Sequence, residues 1–124
     1  MRYPEPNLNI VSWQQAEVSL RQIREQVFMQ EQSVPAELEW DGLDAEAKHL
    51  LLNIGQQPVA CARLLPTQHL GRMAVLPEWR GKGLGRRLMQ CAIDYATSRM
   101  ARYSYIRTNS SPRFLSTIWF YRHK

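Results

Sequence analysis

The sequence predicts a mixed α and β domain built around one sheet, and three observations predict it. The chain of 124 residues is long enough for one hydrophobic core and too short for two. Hydrophobic residues make up 44% and charged residues 22%, the balance of a folded chain rather than a disordered one. Apolar residues follow a helical period in some segments and alternate or run together in others. Their order is strand, helix, hairpin, strand, helix, strand.

Each element has its own warrant. Asn7 to Trp13 alternates loosely, as a first strand does. From Gln15 to Gln30, Ala16, Leu20, Ile23, Val27 and Phe28 share one helical face, and Ser33 and Pro35 end the run. Glu37 to Asp44 is acidic and irregular and reads as a loop carrying Trp40. His49 to Ile54 and Val59 to Leu65 are apolar runs on either side of Gly55-Gln56-Gln57-Pro58, a hairpin signal. Leu70 to Leu76 is a further strand, closed by Pro77. Gly83 to Met100 is the clearest helix, with Leu84, Leu88, Cys91, Ala92 and Tyr95 on one face. Tyr103 to Thr108 alternates and is expected to form a strand, Asn109 to Pro112 a turn, and Phe114 to Tyr121 a helix or a strand.

Composition narrows the function. The net charge of +5 suggests nucleic acid, but its distribution does not. Residues 1–98 carry a net charge of −1, and residues 99–124 carry +6 with no acidic residue. The other basic cluster, Arg80, Lys82, Arg86 and Arg87, is interleaved with glycines, which suits a phosphate ligand better than a long polyanion. No apolar run approaches the length of a membrane span, and the N-terminus lacks the apolar core of a signal peptide. Cys61 and Cys91 have no nearby Cys or His partner, so no metal site is expected and a reduced, cytoplasmic setting is.

The informative stretch runs from Gly71 to Met89: a strand, a proline stop, a glycine-rich turn and an amphipathic helix. Glycines at 81, 83 and 85 leave backbone N–H groups free to converge on an anion, with a helix N-terminus behind them. The Walker spacing is absent, and the dinucleotide fingerprint would need glycine where Arg86 stands. Arg80-Gly81-Lys82-Gly83-Leu84-Gly85 after Val75-Leu76-Pro77 matches instead an Arg-Gly-x-Gly-x-Gly turn following a strand that ends Val-x-Pro.

With that turn the chain resembles the GNAT superfamily of acyl-CoA-dependent N-acyltransferases. A second pattern is similar to its ElaA-like branch. It comprises Arg24, Val27, Phe28, Glu31 and Gln32 on a helix, the acidic Glu39-Trp40-Asp41-Gly42-Leu43-Asp44 segment, His49, and Ala62-Arg63-Leu64. The resemblance covers about residues 15 to 107. It implies a single acyl-CoA N-acyltransferase-like domain over 1–124, with a mostly antiparallel central sheet flanked by helices and the last strand missing. It implies acetyl-CoA as co-substrate, an amine acceptor and direct attack of the amine on the thioester. Met73, Ala74 and Val75 would pair with the pantetheine arm, and a backbone N–H near Ala74 or Val75 would polarise the thioester carbonyl. Arg80, Gly81, Lys82, Gly83, Leu84, Gly85 and Arg86 would hold the diphosphate.

The catalytic candidates are Glu31, His49 and Tyr121. Glu31 closes the branch-like helix pattern and, with Glu39, Asp41 and Asp44, would attract a cationic amine and relay its proton through water. His49 is either a base near neutral pH or a structural histidine opening an apolar strand. Trp40 either lines the acceptor pocket or caps the core. Arg24 and Arg63 are expected to pair with the acidic segment rather than with substrate. Tyr121, in Phe120-Tyr121, stands where the family keeps its general acid, at a longer spacing from Asn109 than the family has. A truncated or frame-shifted C-terminus would leave a chain that binds acyl-CoA without turning it over. It would also expose a sheet edge that a homodimer covers.

Overall fold

The computed structural model describes residues 4–107 and 119–120, with side chains for 4–98. Strand β1 (Pro6–Val11) stops one residue before Ser12, whose hydroxyl accepts from the Gln15 amide at 3.1 Å while the Gln15 side chain accepts from the Ser12 amide at 2.7 Å. This reciprocal cap starts helix α1 (Trp13–Arg24), so Trp13 belongs to the helix and not to the strand the alternation suggested. The helix continues as a π-helical turn, Glu25–Glu31, and the wider winding turns Glu31 away from the ideal α position.

The acidic segment is not the simple loop expected. It holds a one-turn helix α2 (Ala36–Glu39) and a 3-10 turn at Asp44–Glu46. Strands β2 (Lys48–Ile54), β3 (Gln57–Leu64) and β4 (His69–Val75) follow, with the hairpin where Gly55 was read as its signal. A 3-10 turn at Pro77–Trp79 leads to helix α3 (Leu84–Arg107). The strand expected at Tyr103 to Thr108 is corrected by this: through Arg107 those residues continue α3. Neither glycine nor proline interrupts the sequence between Gly85 and Pro112, so nothing in it stops the helix there, and Tyr–Ser–Tyr alternation was too weak a signal. The turn expected at Asn109 to Pro112 lies outside the described residues, as does most of Phe114 to Tyr121; only β5 (Trp119–Phe120) is described there.

The sheet order is β1-β2-β3-β4-β5, antiparallel through β4, with β5 parallel to β4. Helices cover both faces. Leu50, Leu52, Ala60, Ala62 and Leu70 pack with Leu84, Leu88, Ala92 and Ala96 of α3. Leu51, Cys61 and Ala74 pack on the other face with Leu20, Ile23, Val27 and Phe28. This is the mixed, mostly antiparallel sheet flanked by helices that the sequence predicts.

Candidate functional site

Strand β4 breaks its own alternation, and the site starts there. Leu70 lies on the α3 face while Ala74, four residues on, lies on the α1 face; an unbroken strand would put both on one side. The pairing shows why. Arg63 opposes Gly71 but Cys61 opposes Ala74, so Ala62 faces two residues, Arg72 and Met73. That is a β-bulge, and Arg72 holds the left-handed angle φ +49° that makes it. The bulge frees backbone from the ladder at Arg72 and Met73, at the head of the Met73, Ala74 and Val75 stretch that the family resemblance assigns to the pantetheine arm.

Downstream, the turn has the open form an anion needs. Gly81 and Gly83 have φ of +78° and +82°, angles at which a side chain is strained. A β-carbon at Gly81, Gly83 or Gly85 would meet nothing within 4 Å, so the loop presents bare backbone to open space. The Arg87 amide donates to the Gly83 carbonyl at 3.1 Å, closing the first turn of α3. The amides before it, at Leu84, Gly85 and Arg86, have no partner within the helix and point from its positive end. Lys82 and Arg86 stand exposed at the rim.

Arg80 is placed differently from its neighbours. Its Nη1 and Nη2 donate to the two carboxylate oxygens of Glu31 at 2.8 and 2.7 Å, and its Nε donates to the Val75 carbonyl at 2.8 Å. The pair holds the Glu31 carboxyl below its ordinary pKa, through Arg80's hydrogen bond above all. Glu31 is thus a strut between the π-helical turn and the end of β4, with both oxygens engaged.

The acidic segment closes over three buried arginines. Arg24, only 1% exposed, donates through Nε to Glu39 Oε2 and through Nη1 to Asp44 Oδ1, both at 2.7 Å. Arg63 donates from Nη1 to Asp41 Oδ1 at 2.9 Å and Asp44 Oδ1 at 3.1 Å, and from Nη2 to Asp41 Oδ2 at 3.0 Å. Arg72, which sequence reasoning did not single out, donates from Nη2 to the Leu38 and Glu39 carbonyls and to Asp41 Oδ2. Burial alone would raise the Asp41 pKa, but Arg63, the Leu43 amide and Arg72 outweigh it and hold the group at about 2. At Asp44 burial likewise acts to raise the pKa, and Arg24 and Arg63 overcome it and hold the group below its ordinary value. The expected pairing of Arg24 and Arg63 with this segment is what the structure shows. Glu39 and Asp44 are buried with their arginines rather than presented to solvent on the acceptor surface expected for them.

His49 is 1% exposed, its Nε2 donates to the Asp44 carbonyl at 3.0 Å, and its ring lies 5.4 Å from that of Trp13. Burial pushes its pKa down and keeps it neutral. The ring is thus placed beneath the acidic segment, with Nε2 engaged by backbone. Trp40 stacks with Arg24 at 4.9 Å and Arg21 at 4.5 Å beside Trp13, which makes it a cap over the buried charges. Tyr121 lies outside the described residues. A cleft of about 290 Å³ opens beside the bulge, lined by Asp41, Arg63, Leu65, His69, Gly71 and Arg72 among others. Among the described residues no group of three or more His, Cys, Asp or Glu side chains is placed to hold a metal ion, and no helix is long and apolar enough to cross a membrane.

A bulged strand, an open glycine turn and a helix N-terminus follow one another in an arrangement open to an anion, and comparison with known proteins gives the family. The profile of the Acetyltransferase (GNAT) family matches residues 12–122, and the chain belongs to that family. An uncharacterized N-acetyltransferase of Bacillus subtilis (strain 168), YjcF, is 38% identical over 71 residues, 55% of this chain and 51% of that protein. The chain spans about half the length of the curated relatives it matches. Among solved structures, Escherichia coli ElaA superposes with a TM-score of 0.69 at 25% identity, covering 76% of this chain and 71% of its own. An acyl-CoA N-acyltransferase from Pseudomonas aeruginosa gives 0.67 at 28% identity, covering 76% and 72%.

Proposed function

We propose that the protein transfers an acetyl group from acetyl-CoA to a primary amine of a small molecule or protein, by direct attack. One observation carries this reading: the β4 bulge runs straight into an open glycine turn at the N-terminus of α3. In it, the backbone from Gly81 to Arg86, with the Lys82 and Arg86 side chains, receives the diphosphate. The pantetheine arm lies along Met73, Ala74 and Val75. Arg80 acts on the cofactor indirectly, by fixing the turn against Glu31.

The amine nitrogen adds its lone pair to the thioester carbonyl carbon, and a bulge N–H donates to the oxygen as negative charge develops there. The C–S bond then breaks, the nitrogen gives up its proton and the thiolate takes one. Neither Glu31, with both oxygens on Arg80, nor His49, buried on Asp44, offers a free base in this arrangement, so water is assigned the ammonium proton. Tyr121 is assigned the thiolate by family resemblance alone. The acceptor approaches through the cleft beside the bulge, where Asp41 stays ionised. Both cysteines are free thiols, which supports a reducing, cytoplasmic setting.

A thermal melt with and without acetyl-CoA tests the cofactor half. Binding to the native state at a hundredfold excess over Kd stabilises it by about 2.7 kcal/mol, and a cooperative melt with no shift overturns the reading. Turnover against a panel of primary amines tests the other half. A shift without turnover on any amine would favour a binding domain that does not catalyse, and Tyr121→Phe should lower kcat if the acid is assigned correctly.

A further inference from the structure

Arginine is a costly choice at a backbone angle that glycine adopts freely. At φ +49° a β-carbon disfavours the left-handed region by about 1 kcal/mol, and such strain persists only where the surroundings over-determine it. At Arg72 the surroundings do so through the side chain. Nη2 donates to the Leu38 carbonyl at 3.2 Å, the Glu39 carbonyl at 3.0 Å and Asp41 Oδ2 at 3.1 Å. Nε stands 3.2 Å from Glu39 Oε2, close enough for an ion pair though not aligned for a hydrogen bond. These partners lie 31 to 34 residues upstream. They are themselves pinned, Glu39 by Arg24 and Asp41 by Arg63. The Arg72 side chain therefore ties the bulge to a fixed body.

We infer that Arg72 is a positioning residue: its guanidinium, anchored on the 38–41 segment, holds the β4 bulge in register and so sets where the neighbouring backbone N–H stands relative to the thioester carbonyl. This rests on the reading of the bulge as the place of that carbonyl. Arg72 does not touch the reacting atoms. The acidic segment, which the sequence suggested as an acceptor surface, serves here as the anchor for the catalytic backbone. Glycine would be less strained at this position but has no side chain to reach across with.

Two substitutions test it. Arg72→Gly keeps φ +49° accessible and removes the hook. Arg72→Lys keeps the charge and the strain but loses the forked donor, and it carries the test should the glycine variant not melt cooperatively. In either, the Ala74 amide, which faces Cys61 across the ladder two residues before the Leu76 amide that donates to the Val59 carbonyl, should exchange with deuterium at least tenfold faster, with β2 unchanged. In either, kcat should fall at least tenfold while KM for acetyl-CoA stays within threefold, because the glycine turn is untouched. Wild-type exchange at Ala74 overturns the inference. So does an unchanged kcat, or a loss carried by KM alone. A wild-type protein without turnover on any amine would instead overturn the proposed reaction, and the exchange rates would then decide the structural claim by themselves.

Discussion

Arg24 shows what a single side chain does in this protein. Buried to 1% exposure, it sits between two carboxylates and two indoles, so its charge is compensated on every bonding nitrogen described. Removing one partner of such a cluster is worse than never having built it, because the remaining buried charges lose compensation: among the described residues Glu39 keeps only Arg72 and Asp44 only Arg63. Arg24→Met should therefore destabilise the fold by about 3–5 kcal/mol in urea unfolding. Adding Glu39→Gln to that variant should recover part of the loss, and a strictly additive double mutant would show that the two do not interact.

At the scale of elements, the strut between the π-helical turn and β4 is the feature to test. Glu31→Gln leaves Arg80 without its charge partner on an exposed surface, so unfolding should barely change. If Arg80 serves by fixing the turn, KM for acetyl-CoA should rise several-fold with kcat preserved. A tighter KM would mean that Arg80 had been withheld from the diphosphate by Glu31. The turn itself makes a separate prediction. Gly83→Ala meets no steric neighbour, so its effect comes from φ +82° alone, about 1 kcal/mol in stability, together with weaker acetyl-CoA binding measured by melt shift.

For the whole molecule, the buried groups set the response to acid. His49, Asp41 and Asp44 all have native pKa values below their ordinary ones of 6.5, 3.8 and 3.8. In each case the unfolded chain binds the proton more readily, so stability is full above the ordinary value and is lost as pH falls toward the native one. Tm should begin to decline below about pH 6.5, as the unfolded chain's His49 protonates, and drop more steeply between about pH 4 and 2 on account of Asp41, with Asp44 adding to the loss below its ordinary value. His49→Gln should remove the first decline and leave the second. A Tm flat from pH 7 to 5 in the unmodified protein would contradict the burial of a neutral His49.

Much of this protein is determined by local sequence. The β2–β3 hairpin, the strand ending at Pro77, the glycine turn and the apolar face of α3 are written in neighbouring residues, because turn geometry and side-chain period are local properties. The pairing of Arg24 and Arg63 with the acidic segment was legible for a similar reason: buried arginines need carboxylates, and one segment supplied them. Three features were decided only in three dimensions. Alternation could not exclude a helix at Tyr103 to Arg107, since its period is weak and its outcome depends on what α3 packs against. Glu31 looked like a free acid until the π-helical turn brought it to Arg80, 49 residues away. Arg72 looked like an ordinary strand residue, because neither the bulge that strains it nor the carbonyls that hold it can be seen without the β3–β4 register and the fold of the 38–41 segment over the sheet. Local propensity chooses the elements; where a side chain finds its partner depends on how those elements are brought together.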